Sequence, residues 1–152
     1  MKLLFIFFFP AVSLMSCASS FKTSSPSDSS NNIIPTESKM KLKIGNSTFT
    51  VTLYDNATAT AFKSLLPLTV HMVELNGNEK YADLSRTLPI NASKPGNIQN
   101  GDLMLYDSST VVLFYKTFPT SYSYTKLGRV DDATGLVAAL GVGNVTVMFE
   151  LD

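Results

Sequence analysis

The chain has 152 residues, a length that suits one domain able to bury most of the surface of its unfolded chain. Its 12 basic and 12 acidic residues balance, which argues against a nucleic-acid-binding protein, because such proteins usually carry a basic stripe. The single cysteine and the single histidine exclude an intrachain disulfide, a cysteine-based zinc cluster and a two-histidine metal site within one chain, so we expect no metal and no cofactor.

The first 17 residues have the layout of a lipoprotein signal peptide. A positive start precedes an apolar run over residues 3–12, which is too short for a permanent membrane span, and residues 14–17 (LMSC) resemble a bacterial lipobox. By that resemblance Cys17 is the lipidated first residue of the mature protein, and more than one acyl chain gives lasting attachment to a membrane. Ala18 fits sorting to the outer membrane, so we expect a lipid-anchored protein of the bacterial cell envelope. An ordinary signal peptide with an incidental cysteine is the alternative.

Residues 18–38 are predicted to form a disordered tether. Eight of these 21 residues are serine, and almost nothing apolar occurs before Ile33. Such a segment cannot bury enough apolar surface to offset the entropy that it loses on ordering.

From Lys39 to Asp152 the composition becomes that of a folded domain with alternating apolar and polar residues, a pattern typical of half-buried strands. Gly45-Asn46 and residues 76–78 are turn signals, residues 83–100 look irregular, and residues 116–125 form a loop rich in aromatic residues. The predicted strands cover residues 40–44, 49–54, 68–75, 79–81, 103–106, 110–115, 127–130 and 145–149.

The first predicted helix follows the second strand. Asp55 or Asn56 can cap its N-terminus by accepting a backbone N–H bond, and apolar residues follow at helical spacing over residues 57–66. Pro67 disfavours helical geometry at Leu66, so the helix should end there.

A second short helix is predicted over Ala133 to Leu140. Asp131-Asp132 can cap its start, and Gly141 can close it in a left-handed conformation. Seven or eight short strands with two short helices predict a mostly β protein, a closed or nearly closed antiparallel barrel capped by helices.

The order of several segments resembles the cyclophilin-like fold proteins of bacteria, small barrels that share the architecture of cyclophilins but not their motifs. The resemblance covers about Lys39 to Asp152 and implies a closed eight-stranded antiparallel barrel with two short helices. Its most specific parts are Asp55-Asn56 with Leu66-Pro67, Glu79 with Tyr81, Gly101-Asp102, and Gly128-Arg129.

The catalytic set of cyclophilins cannot be carried over to this chain. It contains a tryptophan, which is absent here, and a histidine, whereas His71 stands on a different predicted element and is more typical of a structural residue. No catalytic residue is therefore assigned.

Two charged residues are candidates for a ligand site. Arg129 could bind a carboxylate, a phosphate or a peptide carbonyl, or it could form an ion pair with Glu79, Asp102 or Asp131. Glu79 could be a pocket carboxylate or a general base, or it could accept backbone N–H bonds and hold the irregular loop that follows it.

Aromatic side chains around the 116–125 loop complete the candidate site. Rings with polar tips suit binding sites, because they are large and rigid and have one hydrated end. The alternative is that the loop folds back and buries its own rings as a lid on the barrel. The candidate aromatic residues are Tyr115, Phe118, Tyr122 and Tyr124.

Three hypotheses for function follow. The favoured one is a binding module, in which the tethered barrel binds an unknown small molecule or peptide near Arg129, Glu79 and the aromatic residues. The second is a prolyl isomerase that uses Arg129 and Phe118, since the slow uncatalysed step leaves room for modest catalysis. The third is an interaction domain that has no pocket.

Overall fold

The computed structural model describes residues 37–152. The predicted signal peptide with Cys17 lies outside the described residues, as does the predicted tether except for Glu37 and Ser38. Within the described part of the chain, no helix is long and apolar enough to cross a membrane. The strands are β1 (Ser38–Ile44), β2 (Ser47–Leu53), β3 (Leu68–Leu75), β4 (Glu79–Asp83), β5 (Asn97–Ile98), β6 (Asp102–Tyr106), β7 (Thr110–Phe114), β8 (Phe118–Pro119), β9 (Thr125–Val130) and β10 (Val145–Leu151), and the helices are α1 (Ala57–Lys63) and α2 (Leu136–Leu140).

Eight of these strands form a closed barrel in the order β1-β10-β3-β4-β7-β6-β9-β2, and all neighbours are antiparallel. This confirms the predicted fold class. The period-2 pattern fills its interior, because the strands turn alternate apolar side chains toward one core, as Met40, Leu42 and Ile44 do in β1.

Helix α1 begins where the sequence predicts. Asn56 is its N-cap: the Asn56 Oδ1 atom accepts a 2.8 Å bond from the Ala59 N–H, and Nδ2 donates to the carbonyl of Lys126 in β9 at 2.9 Å. The helix ends at Lys63 rather than at Leu66, because two tighter turn bonds replace the helical ones, from the N–H groups of Leu65 and Leu66 to the carbonyls three residues back.

Helix α2 is shorter than predicted and starts at Leu136. The predicted cap residue Asp131 instead accepts bonds from the Thr52 hydroxyl and the Lys39 ammonium, and so joins β9 to the β1–β2 hairpin. Gly135 in a left-handed conformation (φ 81°) then sets the N-terminus of the helix. The predicted boundary at Gly141 is confirmed, but with φ 64° and ψ −174° this glycine is extended rather than in the predicted left-handed helical conformation.

Two elements were not predicted from the sequence. Strands β5 and β8, from the irregular 83–100 segment and the aromatic loop, pair as a separate two-stranded sheet. They belong to a second, smaller core that lies apart from the barrel interior and contains Ile98, Met104, Val112, Phe114 and Tyr124.

Candidate functional site

The candidate site lies on the outer face of β4, β7 and β6. Along β7, Val111 and Leu113 belong to the barrel core, whereas Val112 and Phe114 belong to the second core. The same alternation places Tyr81 opposite Val112 on the outer face of β4. The second core is therefore built on the outside of the barrel wall.

Aromatic rings form a continuous row across this outer face. Phe114 packs against Phe118 (ring centroids 5.7 Å apart) and edge-to-face against Tyr124 (5.4 Å). Tyr124 contacts Tyr106 (5.8 Å), which in turn meets Tyr122 edge-to-face (6.4 Å). Such tilted and edge-on pairs are stabilising beyond the area that they bury, so the rings form one contiguous aromatic wall.

A cavity of about 570 Å³ opens beside this row. Its walls come from β4, the ends of β6 and β7, the β3–β4 turn and the segment from Phe118 to Tyr124. Five aromatic side chains line it, namely Tyr81, Tyr106, Phe118, Tyr122 and Tyr124. Small polar side chains, among them Asn78, Thr110, Thr120 and Ser121, supply much of the remainder of the lining.

The charged groups in the cavity wall are both carboxylates. Glu79 and Asp83 lie four residues apart on the outer face of β4. No lysine or arginine of residues 37–152 lines the cavity. Asp83 accepts a 2.7 Å bond from the Thr110 hydroxyl. Glu79 takes part in none of the ion pairs formed among the described residues.

Burial and the nearby carboxylate of Glu74 raise the pKa of Glu79 above its ordinary value. Burial, followed by the charge of Glu79, also raises the pKa of the Tyr124 hydroxyl. Among residues 37–152, no basic side chain of the cavity wall compensates this negative charge.

Four of the six predicted site residues meet at this cavity: Glu79, Phe118, Tyr122 and Tyr124. Tyr124 is buried in the second core while Tyr122 is 63% exposed at the rim, so the binding interpretation of the aromatic loop stays a prediction.

Tyr115 lies elsewhere, on the barrel side of the wall. Its hydroxyl donates to the Glu74 carboxylate, 2.8 Å from both oxygens, and does not line the cavity. Lys80, whose side chain is fully buried, donates to the same carboxylate at 2.7 Å and to the Gly143 carbonyl at 2.6 Å. These three side chains form an ionic network that joins β3, β4, the end of β7 and the segment before β10.

Arg129 also stands apart from the cavity. It lies in β9 between Thr52 of β2 and Asp102 of β6, with Nε 3.9 Å from the Asp102 carboxylate, and its side chain is 49% exposed. The preceding Gly128 is required there, because a Cβ atom would lie 2.6 Å from the Thr52 carbonyl oxygen. The ion pair with Asp102 is one of the alternatives that the sequence left open.

Several residues of the cavity wall were missed from the sequence. Tyr81 and Asp83 stand two and four residues after Glu79, so the period-2 pattern of a strand places all three on one face. Tyr106 could not be found in this way, because its place opposite Thr110 depends on the pairing of β6 with β7. His71 is exposed on β3 and does not line the cavity.

Comparisons with known proteins agree with this architecture. A family model described as the cyclophilin-like family matches residues 42–150. No curated protein matches the chain at a significant level. Among solved structures, the solution structure of a hypothetical protein from Archaeoglobus fulgidus is similar, with 18% sequence identity, 76% of this chain and 95% of that chain covered, and a TM-score of 0.51. At that identity the similarity concerns the fold alone.

Proposed function

The chain belongs to the cyclophilin-like family, and on that premise we propose that its barrel is a binding module, which holds a small molecule or a short peptide segment in the cavity on its outer face. The observation that carries the proposal is the cavity itself. Its volume lies within the range of about 300–1,000 Å³ that is usual for ligand sites, and its wall combines aromatic surface with a few polar groups.

The alternatives have less support. A prolyl isomerase of the cyclophilin type needs an arginine beside an apolar pocket, and Arg129, the partner suggested for Phe118, is on another part of the barrel wall. A domain that acts only through assembly needs no cavity. An aromatic-walled cavity favours a ligand over both alternatives.

Binding is tested by NMR titration of the full-length protein with a panel of short peptides, amines, alcohols and carboxylates. Replacing Tyr122 with alanine should weaken binding about tenfold, because an exposed ring at the rim contributes contact with the ligand and little to folding. The melting temperature should change little. Tyr54→Ala is the matched control, since Tyr54 is 41% exposed and does not line the cavity.

Shifts confined to residues of the cavity wall, with binding weakened about tenfold in Tyr122→Ala and unchanged in Tyr54→Ala, would support the binding module. A panel that shifts no residue of the wall would contradict it. Faster cis–trans exchange of proline peptides in the same samples would instead favour the isomerase.

The membrane anchor is a separate part of the proposal, and it is supported by residues 14–17 of the sequence. In a bacterial host, full-length protein should be recovered with the membrane fraction and incorporate labelled fatty acid. Cys17→Ser should abolish the label and release the protein, because the acyl chains supply the membrane affinity. Fatty-acid labelling that persists in Cys17→Ser would contradict the anchor at this residue.

A further inference from the structure

We infer that the cavity selects a primary ammonium group carried on an alkyl chain, as in a free alkylamine or a lysine side chain. This inference rests on the proposed function and names the class of ligand for the same site. It follows from three features of the wall: its charge, the acceptor capacity of the Glu79 carboxylate and its aromatic surface.

The charge of the wall is negative. Glu79 and Asp83 face the cavity from β4, and within the described chain no basic side chain joins them there. Glu74, which adds its charge to the potential at Glu79, is neutralised by Lys80 on the barrel side of the wall. Glu79 is half-buried and forms no ion pair with residues 37–152, an arrangement that costs free energy unless a positive partner binds. A bound ammonium would supply that partner and favour the ionised carboxylate.

The acceptor capacity of the wall calls for donors. The Glu79 carboxylate lines the cavity and takes part in no ion pair among residues 37–152, and a carboxylate can accept several hydrogen bonds. A primary ammonium has three N–H donors and no acceptor, so it matches this carboxylate better than an alcohol or a quaternary ammonium does.

The aromatic surface suits the same group. Tyr106, Tyr122 and Tyr124 are held in a row by tilted and edge-on contacts, and tyrosine rings attract ammonium groups over their faces. The ring surfaces also offer an apolar contact for the alkyl chain. An anionic ligand would meet two carboxylates and no basic side chain from the described part of the chain, and we expect it to be rejected.

The test compares probes that differ in charge and hardly in size. Full-length protein is titrated by NMR with butylammonium and with 1-butanol, which have the same number of heavy atoms. Butylammonium should bind about tenfold more tightly, from the ion pair with Glu79 and the contact with the rings. Nα-acetyl-lysine methylamide and its norleucine counterpart form a second pair that differs in charge. Whichever of butylammonium and Nα-acetyl-lysine methylamide binds more tightly then distinguishes a free alkylamine from a lysine side chain as the ligand.

Glu79→Gln removes the charge and keeps the shape, and it should reduce the preference for butylammonium to about threefold or less. Glu37→Gln removes the same charge from a residue outside the cavity wall and should leave the preference intact. A thermal melt of each variant checks that it is folded.

The outcomes separate the two proposals. If 1-butanol binds the cavity wall as tightly as butylammonium, or if Glu79→Gln leaves the preference unchanged, the inference is wrong while the binding module stands. If none of these probes and no member of the wider panel shifts a residue of the wall, the proposed function itself fails.

Discussion

Replacing Lys80 with methionine is expected to lower the free energy of unfolding by about 3 kcal/mol. The Lys80 side chain is fully buried, and its Nζ atom donates to the Glu74 carboxylate and to the Gly143 carbonyl. Methionine fills most of the space of the lysine stem, but it leaves a carboxylate without its cation and a carbonyl without its donor. Removing the buried cation from an ion pair whose carboxylate is only 20% exposed is costly for that reason.

Urea denaturation of the purified protein measures the loss. Lys41→Met is the matched control, because the Lys41 ammonium lies 3.0 Å from an oxygen of Asp152 but is 40% exposed. An exposed pair of that kind contributes about 1 kcal/mol or less. Adding Glu74→Gln to Lys80→Met should recover part of the loss. Equal effects of Lys80→Met and Lys41→Met would show that the buried network is not a main source of stability.

The same network gives the stability a defined pH range. Although burial opposes it, hydrogen bonds from Lys80, Tyr115 and the Gly77 N–H lower the pKa of Glu74 below its reference value of 4.5. Burial, then the bond to Glu74, raises the pKa of Tyr115 from 10.0 to about 12. The network therefore contributes its full share to the free energy of unfolding between pH 4.5 and 10. That contribution is lost in acid as Glu74 is protonated, and it is lost again as pH rises from 10 toward 12.

Tyr115→Phe tests the alkaline side of this range. The wild type should lose stability between pH 10 and pH 12, and the variant should lose less over that interval because it has no late-ionising hydroxyl. An absorbance titration of the tyrosines should likewise lose its last phase. Identical alkaline profiles of the two proteins would contradict the assignment.

Replacing Phe62 with alanine is expected to cost about 4 kcal/mol of unfolding free energy. Phe62 is fully buried and packs edge-to-face on Phe149 with ring centroids 5.4 Å apart, so the substitution opens a void between α1 and β10. Phe62→Leu should cost less, because it refills part of that void.

Chemical denaturation again measures the change, with Tyr54→Ala as an exposed aromatic control that should cost about 1 kcal/mol or less. A loss for Phe62→Ala no greater than that for Tyr54→Ala would mean that α1 is not packed into the barrel core.

Much of the barrel could be predicted from the sequence, because its strands follow the physical rule that one face is apolar. The turn at Gly45, the cap at Asn56 and the alternation in β1 each have a local cause. Strands β5 and β8 could not be predicted, since two residues are too few to show a period. The start of α2 depends on a distant partner, because Asp131 is held by Thr52 and Lys39.

The candidate site divides in the same way. Glu79 and the aromatic loop could be chosen as candidates from residue type. The residues that lie beside them in the fold depend on which strands pair. Strand β9 pairs with β2 and β6, which puts Arg129 beside Asp102 and not beside Glu79. Tyr115 follows Phe114 directly, so the pleat turns it to the other side of the wall, where it meets Glu74.

The barrel is closed by β10, which pairs with both β1 and β3, so that Met40 stands opposite Leu151 and Val70 opposite Val147. The edges of β1 and β3 can therefore be joined only when residues 145–151 are in place. Until then the folding chain presents two unpaired strand edges, which are templates for association with other chains. A truncation before residue 145 should leave an aggregation-prone product, whatever the state of the cavity.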